Sequence, residues 1–178
     1  MRRWARCLPA LILVAGFVPH ALAQQDRDPL TYDEIEQIRE NAVHPADRVK
    51  LYMKFIDQRV DDIKQISKDP QLIHRKEQLR GKFDEFTRLC DELQDNLDTY
   101  DAAHADIRKA LKDLVEDSAK WPDVLNLAGA DSSYDFSRKT ALAAAQSASD
   151  EAKQMQTEQD KYFDEHKDER NKNGSGPG

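Results

Sequence analysis

The sequence predicts an all-α protein: an elongated antiparallel helical bundle of three long helices with coiled-coil-like packing, preceded by a short N-terminal helix. Two observations carry that expectation. An apolar seam runs Leu79, Phe83, Phe86, Cys90, Leu93, Leu97, Tyr100, His104, Ile107, Leu111 and Leu114, in alternating steps of four and three. That spacing keeps a stripe on one helix face toward a partner helix. No Gly or Pro interrupts the chain between Lys82 and Trp121, so nothing local stops a long helix.

The first 23 residues read as a removable signal. Arg2, Arg3 and Arg6 form a basic start, Cys7 to Pro19 is mostly apolar but too short to span a bilayer, and Ala21-Leu22-Ala23 is an A-x-A cleavage site. Cleavage before Gln24 would export the chain to the periplasm or the extracellular space. Cys7 lies well upstream of the site, which is wrong for a lipidated first residue. No second long apolar run follows, so no membrane anchor is expected. Residues 24–30 are polar and read as a flexible lead-in, residues 31–170 as one helical bundle domain, and residues 171–178 as a disordered, Gly-rich tail.

Thr31 and Glu34 form a capping box that opens the short helix. Tyr32, Ile35, Ile38 and Ala42 lie near one of its faces, and His44-Pro45 interrupts it. Pro45 suits the first turn of the second helix, expected to reach about Ser67. Its inward set is Val49, Tyr52, Phe55, Ile56, Val60, Ile63 and Ile66. Lys68-Asp69-Pro70 then makes a short turn into an antiparallel third helix starting near Gln71. That turn would pair Ile56 with Phe83 and Val49 with Cys90.

The third helix is expected to run unbroken to about Lys120, roughly 75 Å. A break within Asp98–Asp101 would give a four-helix bundle instead, but a loop has no reason to preserve heptad phase. Trp121-Pro122 ends the helix, and a connector to Ser133 leads into a fourth helix from about Tyr134 to Arg170. The alanines at 141, 144, 145, 148 and 152 on its inner face favour close helix approach. Folded back on the third helix, it would set Leu114 against Leu142, Ile107 against Ala148 or Ser149, and Tyr100 against Met155. Parts of the seam, Leu72 to Phe83 and Ile107 to Leu114, would then stay uncovered. Self-association as a homodimer would cover them.

Net charge is −7, and removal of the three N-terminal arginines makes the chain more acidic still. Nucleic-acid partners are therefore not expected. Once Cys7 is gone, Cys90 is the one remaining cysteine, so no intramolecular disulfide can form.

No haem-attachment, phosphate-loop or zinc-protease motif is present. Asp101-x-x-His104 comes nearest to the Glu-x-x-His pairs of di-iron bundles but occurs once, and a di-iron site needs two. The expected register brings Cys90 level with His166 and close to His44. These three are the candidate ligands for a soft metal or an activated thiol. The expectation for Cys90 itself is a buried, quiet thiol, with no cofactor, no metal and no catalytic residue assigned. The function this composition favours is a non-enzymatic scaffold or adaptor with a protein partner. Its alternatives are a chaperone-like holdase for apolar segments and a metal- or redox-linked protein using Cys90 and histidines.

Overall fold

A computed structural model describes residues 28–170. The expected signal peptide and cleavage site, and the expected disordered tail, lie outside the described residues. Within them the chain forms six helices and no strand: α1 (Tyr32–Glu40), α2 (Pro45–Lys68), α3 (Arg75–Ala102), α4 (Arg108–Ser118), α5 (Trp121–Asn126) and α6 (Asp135–Glu165). The protein is an all-α helical bundle, with α2, α3 and α6 as its long members.

The capping box of α1 is formed in full, the Thr31 hydroxyl accepting from the Glu34 N–H and the Glu34 carboxylate accepting from the Thr31 N–H. Pro45 sits in the first turn of α2, where its missing N–H costs nothing. The next turn is longer than the sequence suggests. Asp69 accepts from the Gln71 N–H, His74 adopts a left-handed backbone (φ 58°), and Arg75 donates to the carbonyls of Ile66 and Ser67 at the end of α2. As a result α2 and α3 meet in a shifted register. The pairs Arg48–Asn96, Tyr52–Glu92, Arg59–Glu85 and Asp62–Lys82 are all centred on Leu72, not on the Asp69–Pro70 turn.

The larger correction concerns the third helix, which is not continuous to Lys120. It stops at Ala102 and closes with a Schellman motif. The Ala105 N–H donates back to the Tyr100 carbonyl and the His104 N–H to that of Asp101, both at 2.9 Å. His104 occupies the left-handed position (φ 49°), where glycine is the usual occupant. The chain then reverses. Buried Gln159 fixes the reversal from α6, its Nε2 donating to the Ala105 carbonyl and its Oε1 accepting from the Ile107 N–H.

The four-helix arrangement is therefore the one adopted, with its break a few residues beyond Asp101. Arg108 reaches Asp160 and lies over the Phe163 ring, while further along Asn126 accepts from Arg138. The α4–α5 column thus runs antiparallel to α6. Phe83 lies beside Tyr134, Gln94 donates to Ser147, and Ala105 meets Gln159, so α3 and α6 run parallel. The expected folding of α6 back along a continuous third helix does not occur, and Ile107 meets Gln159 in place of Ala148 or Ser149.

Trp121 does not close a long helix. It opens α5, almost fully buried, edge-on to Phe86 and donating its indole N–H to Asp57 at 2.8 Å. The α6 alanines 141, 144, 145, 148 and 152 are all buried. Because α4 and α5 supply a fourth wall, the stretches expected to be bare are covered: Leu79, Phe83, Ile107, Leu111 and Leu114 are each 0% exposed. His104 is the one seam position that leaves the core for solvent. α6 ends at Glu165, short of the expected Arg170.

Gln159→Leu should destabilise the protein by at least about 2 kcal/mol, because it leaves a buried N–H and a buried C=O unpartnered at about 1–3 kcal/mol each. Chemical denaturation of the two proteins checks this. An unchanged midpoint would show that the reversal is held by something else.

Candidate functional site

The three candidate ligands are not brought together. Cys90 is fully buried in the middle of α3. The Phe83–Tyr134 and Gln94–Ser147 contacts bracket it, so the α6 residues level with it fall between 134 and 147. His166 caps the far end of α6, and His44 caps the start of α2, beyond the Arg48–Asn96 contact. Register is the reason: a parallel α6 carries His166 away from Cys90, where an antiparallel one would have carried it close. Burial, then the Asp91 charge, pushes the Cys90 thiol far up, which is the behaviour of a core residue. Among the described residues, no group of three or more His, Cys, Asp or Glu side chains is placed to hold a metal ion.

Two histidines do meet elsewhere. His104 and His166 stack on opposite faces of Tyr162, with ring centroids at 4.5 and 4.2 Å and interplanar angles of 11° and 17°. The Tyr162 hydroxyl donates to Glu169, and that hydrogen bond together with burial raises its pKa. The stack borders a cleft of about 190 Å³ lined by Asp101, His104, Glu158, Gln159, Tyr162 and Phe163. Asp101 and His104 thus share a cleft, though not as a helical ligand pair, since His104 sits outside the helix. The Gln159 amide is used by the backbone reversal, and both faces of Tyr162 are covered. The Tyr162–His166 contact follows from i, i+4 spacing. The approach of His104 depends on the Schellman turn and left no sequence signal.

A buried ionic cluster is a second site that the periodicity did not reveal. The Arg59 guanidinium donates to both oxygens of Glu34, to the Pro29 carbonyl at 2.6 Å and to Glu85 at 3.2 Å. Arg59 and Glu34 are each 6% exposed. Burial alone would raise the Glu34 pKa, but the Arg59 hydrogen bond, the Thr31 amide and the Arg59 charge together hold it below the ordinary glutamate value. Lys82 joins the edge of the cluster through Glu85 and Asp62. The cluster reaches into residues 28–30: Pro29 is buried with its carbonyl accepting from Arg59, and Asp28 accepts from the Leu30 N–H.

Large apolar side chains stand exposed at one end of the bundle. Ile73 is 76% exposed in the α2–α3 turn, Leu127 52% at the end of α5, and Phe136 84% in the first turn of α6. The Lys76–Asp131 ion pair and the Tyr134 hydroxyl on the Ala128 carbonyl tie these three segments to the same end. The His104–Tyr162–His166 stack lies at the other.

Two outcomes follow from these placements. Cys90 should resist thiol-labelling reagents in the folded protein and react on denaturation; rapid labelling without denaturant would show that α3 and α6 part in solution. The depressed Glu34 pKa means that its ion pair supplies stability in full above the ordinary carboxylate range and loses it as the pH falls through the lowered value. NMR amide signals of α1 should therefore shift on acidification before those of α2, and Glu34→Gln should remove that early transition.

No protein-family model matches the chain, and no curated protein or solved structure matches it either.

Proposed function

We propose that the protein is an exported, non-enzymatic helical interaction protein whose contact surface is the bundle end carrying Ile73, Leu127 and Phe136. The observation that supports this is the contrast between a closed core and three large apolar side chains left in water at one end. Burying apolar surface releases about 25 cal/mol per Å², so a partner that covers these three side chains together would gain from it. The fitting partner is a protein with an apolar surface of its own.

The holdase alternative needs an open apolar groove, and the seam that would have formed one is buried. The metal-linked alternative needs ligands around Cys90, and His166 and His44 lie elsewhere. Among the described residues no helix is long and apolar enough to cross a membrane.

A photo-crosslinking residue at Phe136 in the native envelope should give one discrete adduct. The Ile73→Glu/Leu127→Glu double variant should abolish it while leaving the helical circular dichroism unchanged. The mass of the adduct separates a foreign partner from a second copy of the chain. An equal adduct from exposed Gln154 on the side of the bundle, or none from position 136, would overturn the reading.

A further inference from the structure

The reversal between α3 and α4 is made by a stretch of chain that is locally suited to a straight helix. Ala102, Ala103 and Ala105 are the best helix formers. Tyr100, His104, Ile107, Leu111 and Leu114 keep the heptad phase across the turn. His104 is held in the left-handed region (φ 49°) without being glycine, and α4 starts without a side-chain cap. The contacts that hold the turn from outside come from α6: the two Gln159 hydrogen bonds and the stack of Tyr162 on His104.

The two helices joined by the turn make little contact with each other. α3 packs on α2 and α6, and α4 packs on α6, α2 and α5. Straightening the turn therefore gives up no sizeable α3–α4 interface. It separates two halves, α1–α3 and α4–α6, and a second copy of the same chain can supply each half with the contacts it loses. In the straight form the Ile107 N–H meets the Ala103 carbonyl and the Ala105 carbonyl meets the Lys109 N–H, as in any α-helix. The backbone then no longer needs Gln159.

We propose that residues 103–107 are a two-state hinge, through which two copies of the chain exchange their α4–α6 halves to form a domain-swapped dimer. Each copy then carries one continuous helix over residues 75–118, roughly 66 Å long. Each lobe combines α1–α3 of one copy with α4–α6 of the other. Short hinges under strain favour such exchange. The apolar end of the bundle lies opposite the hinge, so each lobe rebuilds it with Ile73 from one copy and Leu127 and Phe136 from the other. The exchange does not depend on what those ends bind, so the interaction reading and the hinge can fail separately.

Gln94 on α3 donates to Ser147 on α6 at 2.9 Å within one chain. A chain bearing Gln94→Cys and a second bearing Ser147→Cys, unfolded and refolded together at high concentration, should be joined by a short bismaleimide into a mixed dimer. Exchange sets α3 of one copy against α6 of the other, whereas in a side-by-side dimer each position 94 keeps its own position 147. His104→Ala and His104→Gly test the hinge itself. Both take the imidazole off Tyr162, and they differ in backbone preference alone. Light scattering over a dilution series should show the Ala variant dimerising at least about 100-fold more tightly than the Gly variant, about tenfold for each of two hinges, because Ala resists the left-handed turn and favours helix. His104 is exposed, so both variants should keep the core, which circular dichroism checks. The cross-link with the native hinge stands whether or not either variant folds. No mixed cross-link from the native hinge, a dimer that forms without it, or equal association of the two variants would overturn the proposal.

Discussion

The carboxamide of Gln159 holds together the point on which the architecture turns. It satisfies one carbonyl and one amide of a buried chain reversal, Ala105 and Ile107, that no helix can serve. Backbone groups buried without partners are rare because each forfeits its hydrogen bond to water. The reversal needs such a partner from outside, and α6 brings it by running parallel to α3. Once the chain turns there, α4 and α5 come back along the bundle, Trp121 enters the core against Phe86, and the seam is closed on its remaining side.

Histidine makes two of the three left-handed turns among the described residues, Gly129 making the third. His74 before α3 and His104 after it hold left-handed conformations, which glycine would occupy at less steric cost. At position 104 the left-handed turn also carries the imidazole onto Tyr162. That stacking is a compensation that a glycine could not supply. The turn at His74 lengthens the α2–α3 connection and moves the side-chain pairs from Arg48–Asn96 to Asp62–Lys82 to a register centred on Leu72.

Charge does the fine positioning. Arg59 gathers the lead-in segment, α1 and α3 onto α2 through a single guanidinium. The planar fork of Arg59 takes the Glu34 carboxylate on both oxygens, which fixes its orientation. The interior is thus divided between an apolar bundle that supplies cohesion and a peripheral ionic cluster that sets where the first helix lies.

The sequence by itself determined the helical class, the capping box at Thr31, the start of α2 at Pro45, the inward faces of α2 and α6, and the burial of Cys90. Each of these is a local or periodic property, and local propensity and periodicity act before any tertiary contact forms. Only the tertiary structure decided the break after Ala102, the parallel course of α6, and the separation of Cys90 from His166. The heptad phase is kept across the break because Ile107, Leu111 and Leu114 face the core from α4 just as they would from a continuous helix, so periodicity could not tell the two apart. The usual glycine of a helix stop is absent, and the partner that makes the stop affordable, Gln159, lies 52 residues beyond Ile107. A constraint carried across that distance leaves no trace in a local pattern; it exists only once α6 has packed.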